Sequence, residues 1–138
     1  MSPISELAVL LSTMQPELNP GTFAFATLPR DQVVRVTDVV ALIQEPEGTS
    51  VIVRETDLNR LGLSAVFLCA WITLTVNSDL AAVGLTAAFS AALGNAGISC
   101  NVVAGTNHDH IFVPVNQATT AMQVLQALQA RAAVENSQ

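Results

Sequence analysis

The chain has 138 residues, 51% hydrophobic and 12% charged, with a formal net charge of −6, a length that suits one compact domain or two very small ones that cannot bury enough surface alone. All five basic residues are Arg, which removes the lysine of a phosphate-binding P-loop, a pyridoxal Schiff base or a kinase, and five scattered cations make no basic stripe for nucleic acid. From Leu61 to Ala130, seventy residues carry only Asp79 and Asp109 as formal charges, so this half of the chain requires a cover.

Ser2-Pro3 is a helix-start signal, and Ile4, Leu7, Leu11 and Met14 follow at helical spacing until Pro16 stops the run. Asn19-Pro20-Gly21 reads as a turn and Thr22–Thr27 as a short strand. After a polar segment with Pro29, Arg30, Asp31 and Arg35, the runs 39–44 and 49–53 flank Glu45-Pro-Glu-Gly48 and predict a hairpin. Glu55 to Leu61 predicts a short helix stopped at Gly62. Val66 to Val76 predicts a strand, because Ile72, Leu74 and Val76 alternate with Thr73 and Thr75. Gly84-Leu85 opens an Ala-rich helix to about Leu93, Ile98 to Val103 is the next strand, and Gly105 to Asp109 is a turn into a strand over 110–115. Asn116 caps a last helix with Met122, Leu125 and Leu128 on one stripe.

The order strand, helix, strand, strand, helix is most of a ferredoxin-like βαββαβ unit without its final strand. Residues 132–138 are short and polar, so no strand is predicted after Arg131. The expected fold is therefore α+β, with halves 1–64 and 65–138 that exchange a strand or complete each other's sheet. The uncharged stretch from Leu80 to Asn107 is long enough for a bilayer, but Gly94-Asn-Ala-Gly97 interrupts it and strand periodicity replaces helical periodicity. With no basic leader and no secretory pattern, the expectation is a cytoplasmic protein without membrane contact. Cys69 and Cys100 lie in apolar strands without metal-type spacing and read as buried reduced thiols.

The segments Asn77-Ser-Asp-Leu-Ala-Ala-Val-Gly-Leu-Thr86, Ala96-Gly-Ile-Ser-Cys-Asn101 and His108-Asp-His-Ile-Phe-Val113 carry a resemblance. They are similar to ACT domains, in which a loop with an acidic residue leads into a Pro-Gly-Leu-type helix start and an Ala-Gly-Ile-type second strand. Val83 stands in place of the usual proline. Thr106 and Asn107 stand where related sequences are expected to carry aromatic residues, so no ligand contact is carried over to those two. The whole chain resembles a family of small proteins with tandem ACT-like halves. The resemblance implies binding of an amino acid or similar effector at a domain interface and regulation of a separate enzyme.

On that fold, the backbone N–H groups at Val83, Gly84 and Leu85 would suit an effector carboxylate. Asp79 would receive its ammonium, and Asn77, Ser78 and Asn101 would add hydrogen bonds; the plainer alternative is that Ser78 and Asp79 cap local turns. His108 and His110 are expected on one face of a strand, where both imidazoles reach one metal or line the effector pocket, with Asp109 in the turn between them. Two ligands fall short of the three that a catalytic zinc takes, so no metal or other cofactor is assigned. Glu45 and Glu47 read as solvated turn residues, and Trp71 as core or interface. The expected function is a non-catalytic regulatory protein, a homo-oligomer and most simply a dimer. The alternatives are a structural or interaction oligomer with a vestigial pocket, and a metal-dependent enzyme using His108 and His110.

Overall fold

Pro and Gly mark several of the element ends: Pro3, Pro16, Gly48 and Gly84 stand at starts, and Gly62 stands at a helix end. A computed structural model describes residues 3–75 and 83–136. They form two compact units, one of residues 20–70 and one of residues 3–19, 71–75 and 83–136.

The N-terminal segment supplies α1 (Pro3–Thr13) and β1 (Pro16–Leu18). Thr13 Oγ1 donates back to the Val9 and Leu10 carbonyls at 2.9 and 3.1 Å, which adds a side-chain partner to the last turn of the helix. Pro16 cannot extend the helix and instead begins β1, a three-residue strand too short to show any periodicity in the sequence.

Unit 20–70 contains β2 (Phe23–Leu28), a 3₁₀ turn at Val36–Asp38, β3 (Ala41–Glu45), β4 (Gly48–Arg54), a 3₁₀ turn at Glu55–Asp57, α2 (Leu58–Leu61) and the first half of β5 (Phe67–Leu74). The predicted hairpin is β3–β4, in register from Ala41↔Ile52 to Glu45↔Gly48. β2 lies between β4 and β5, antiparallel to both, so the order is β3-β4-β2-β5. Gly62, at φ +68°, closes α2: its N–H reaches Asn59 O, and Leu63 N–H reaches Leu58 O. That cap turns Leu61 and Leu63 into a core with Ala24, Ala26, Leu28, Val51 and Val53. Asp38 carries the local charge: Arg60 donates to it at 2.9 Å and, with the Arg35 N–H, holds its carboxyl below the usual range.

The second unit continues with the rest of β5, then α3 (Leu85–Asn95), β6 (Asn101–Ala104), β7 (Asp109–Pro114), a 3₁₀ turn at Val115–Gln117 and α4 (Ala118–Asn136). The strand missing from its ferredoxin-like order is β1. It pairs antiparallel with β5 through Pro16↔Leu74, Glu17↔Thr73 and Leu18↔Ile72, so the order is β1-β5-β7-β6. One face of this sheet carries Ile72, Leu74, Ile111 and Val113; these four, with Phe89, Leu93 and Leu125 of the helices, are fully buried. α1 packs along α4, and Gln129 Nε2 donates to Ser12 O at 3.3 Å.

Two expectations are corrected here. The strand expected from Ile98 starts only at Asn101, because Ile98 belongs to the helix cap: its N–H bonds Leu93 O while Gly97, at φ +75°, bonds Gly94 O. Residues 132–136, read as a polar tail, continue α4, with Ala132 buried; a run of Ala, Gln and Arg has the propensity to stay helical. The scarcity of charge is also met partly within this unit. Thr119, Thr120, Gln123 and Gln126 hold exposed positions of α4, giving a polar surface without ions.

Candidate functional site

The helix start named from the sequence exists at α3. Gly84 is its N-cap at φ +103°, a left-handed conformation that L side chains rarely take, and no side chain among the described residues caps it. The first turn of a helix presents backbone N–H groups without intrahelical partners. A Cβ on Gly84 would lie 3.3 Å from Leu7 Cδ2, so a side chain there would also crowd Leu7 of α1. Val83 is 90% exposed, whereas the Leu85 side chain is buried and contributes only its backbone to this surface. Asn77, Ser78 and Asp79 lie outside the described residues.

The second group occupies the face of β5, β6 and β7 opposite Ile72, Leu74, Ile111 and Val113. Here Trp71 Nε1 donates to His110 Nδ1 at 3.0 Å, and the two rings are tilted with centroids 5.6 Å apart. An indole N–H can only donate, so His110 Nδ1 is unprotonated and the ring is the neutral Nε2–H tautomer. Thr73 Oγ1 lies 3.3 Å from the same Nδ1 and accepts from Asn19 Nδ2 at 2.9 Å. The Asn19 amide also donates to Trp71 O at 3.1 Å, which ties the end of β1 to β5. Phe112 stacks on Trp71 with centroids 6.2 Å apart. Burial, and then the neighbouring His108, lower the His110 pKa; Asp109 opposes them.

His108 is not in the strand, contrary to expectation: β7 begins at Asp109, and His108 closes the turn by accepting the Gly105 N–H at its carbonyl, 2.9 Å. A Cβ on Gly105 would lie 3.1 Å from both His108 O and His110 Nε2, so a side chain there would crowd the turn. His108 Nδ1 is buried without a hydrogen-bond partner among the described residues. Asp109 pairs with Ala104 in the β6–β7 register. Asn101, opposite Phe112, is exposed and donates to Phe112 O at 3.3 Å. Among the described residues no three of His, Cys, Asp and Glu gather as a metal site.

The structure thus brings His110, His108 and Asn101 to one part of the second unit and adds Trp71, Thr73 and Asn19, which sequence reasoning passed over. The alternation at 71–74 already placed Trp71 and Thr73 on one face. Nothing in the sequence placed Asn19 beside them, because the contact spans more than fifty residues of chain. Both thiols are raised by burial, Cys69 to about 12, which suppresses the reactive thiolate.

Two sequence-family profiles, each described as an ACT domain, match residues 2–70 and 67–127. No curated protein matches the chain. Among solved structures it is similar to a Vibrio cholerae protein of unknown function, described as a possible transport protein, at 40% identity over 93% of this chain and 99% of that one, TM-score 0.78. An Agrobacterium tumefaciens protein shares the fold at 15% identity, TM-score 0.65, over 84% of this chain and 89% of that one. The ligand-free regulatory subunit of aspartate kinase from Thermus thermophilus does so at 14% identity, TM-score 0.59, over 84% and 96%. No helix among the described residues is long and apolar enough to cross a membrane. Matched by one family along both halves, and folded as two ferredoxin-like halves, the chain belongs to the ACT-domain family.

Proposed function

We propose that this chain is a regulatory ACT protein, without catalysis of its own, that binds a small amino-acid-type effector at a domain or subunit interface and acts as a homodimer on a separate enzyme. The observation that carries this reading is the α3 N-terminus, whose first turn starts on a left-handed glycine with no described side chain capping it. Such N–H groups suit a carboxylate. Asp79, a few residues earlier in the sequence, is assigned the effector's ammonium. The shared fold with the regulatory subunit of aspartate kinase from Thermus thermophilus supports regulation through a partner chain. The effector works by population shift, favouring whichever assembly or partner-binding state it holds more tightly.

Thermal unfolding of the purified chain with each of the twenty amino acids tests this. A true effector at a hundred times its dissociation constant adds about 2.7 kcal/mol of stability, and Asp79→Ala abolishes the shift. A flat panel overturns effector binding. It leaves the reading as an interaction oligomer, which the exposed Val33, Val36, Leu42 and Ile43 favour.

A further inference from the structure

The two units join equivalent strands in different ways. In the second unit β5 and β6 lie on either side of β7, and the eleven-residue helix α3 connects them. In unit 20–70 β2 and β3 lie on either side of β4, but residues 29–40 connect them with only the three-residue 3₁₀ turn Val36–Asp38. In a ferredoxin-like unit that connection carries a helix, which buries an apolar stripe on one face of the sheet. Here the apolar side chains are present without the helix. Val34 and Val39 pack against the core of Ala24, Ala26 and Val51, whereas Val33 and Val36 are 92% and 89% exposed. Leu42 pairs with Val51 in register and so faces the same side of the sheet. An open groove of about 350 Å³ lies between this segment and the start of β3, walled by Val34, Val36, Val39 and Leu42, with Arg35 among its lining residues. Exposed apolar surface gathered in one place marks a binding site.

We propose that this groove docks an amphipathic helix of another protein, one that carries an acidic side chain beside its apolar stripe. The docked helix supplies the layer that unit 20–70 lacks, with its apolar ridge between the valines. Val36 lines the groove and is still 89% exposed, so the groove is shallow and suits a ridge of side chains better than an enclosed small molecule. The charge at the groove selects the partner. Asp38 is already satisfied, by Arg60 at 2.9 Å and by the Arg35 N–H at 3.2 Å. The Arg35 guanidinium reaches Asp38 only at 3.9 Å and is 82% exposed, which leaves it available to a carboxylate of the docked helix. No acidic residue is among the described residues that line the groove. In a chain of net charge −6 this is a local preference against the overall field, because long-range attraction alone would favour a basic partner.

This proposal rests on the reading of the chain as one that acts on a separate protein, and it does not depend on the effector. The probes are two stapled helical peptides of about twelve residues, with Leu at i, i+3, i+4 and i+7 and either Glu or Lys beside that stripe. Fluorescence anisotropy with the full chain measures their binding. The wild type should bind the Glu peptide several-fold more tightly than the Lys peptide, and Arg35→Glu should reverse that order. Val36→Asp places a charge in the apolar contact and should weaken the Glu peptide by at least about tenfold. Val134→Asp, on an exposed position of α4, should leave binding unchanged. No binding at high micromolar concentration, a wild-type preference for Lys, or equal loss in Val134→Asp overturns the proposal. So does an oligomer whose mass by sedimentation equilibrium falls in Val36→Asp, since the groove then belongs to a second copy. Amino-acid shifts in melting without peptide binding overturn this surface and keep the effector; peptide binding with a flat amino-acid panel keeps the surface and overturns the effector. Circular dichroism confirms that each variant is folded.

Discussion

Protonation of His110 should dismantle the contact that anchors Trp71. At neutral pH Nδ1 accepts from Trp71 Nε1 at 3.0 Å and faces Thr73 Oγ1 at 3.3 Å. A proton on Nδ1 turns this acceptor into a third donor and forfeits at least one hydrogen bond, worth about 0.5–1.5 kcal/mol net. The sign follows from the lowered His110 pKa, caused first by burial and then by His108. Its stabilisation is complete above the unfolded histidine value of about 6.5 and is lost as pH falls through the lower folded value. Trp71 is the chain's only tryptophan, so its emission reports this contact directly. Between pH 7.5 and 4.5, wild-type emission should change in one step, and the melting temperature should fall roughly 3–5 °C per kcal/mol lost. His110→Asn keeps an acceptor near the Nδ1 position but cannot titrate, so its emission should stay level; His108→Asn should move the wild-type step without removing it. Carboxylates such as Asp38 titrate alike in all three proteins, so the comparison between variants isolates the histidine. Emission that is flat in the wild type, or that changes identically in His110→Asn, would refute the assignment of the Trp71–His110 bond.

Three further outcomes are expected. Gly84→Ala forces a side chain into a left-handed conformation against Leu7 and should cost about 1–2 kcal/mol in urea unfolding. Phe89→Ala empties the most deeply buried aromatic site of α3 and should cost about 3–5 kcal/mol; a loss below 1 kcal/mol would mean that this core is loosely packed. Cys69, its thiol pushed up to about 12 by burial, should resist a thiol reagent at pH 8 until denaturant is added, and rapid native labelling of Cys69 would contradict its burial.

The sequence by itself determined the elements with strong periodicity or punctuation. The alternation Ile72-Thr-Leu, the Glu45–Gly48 turn and the stop at Gly62 are local signals, and the structure contains β5, the β3–β4 hairpin and a glycine-capped end of α2. The same reading found an incomplete ferredoxin-like unit and so implied a strand from elsewhere. Which strand completes it was decided only in three dimensions. β1 is three residues long, too short for a period, and its place depends on pairing with Ile72 to Leu74 across more than fifty residues. The site divides in the same way. The α3 start at Gly84-Leu85 is a local signal and was legible in the sequence, whereas the place of His108 outside β7 and the state of His110 were not. The state of His110 depends on Trp71, Thr73 and Asn19, drawn from two other strand segments, because a histidine's tautomer is fixed by whichever donor the fold sets against it.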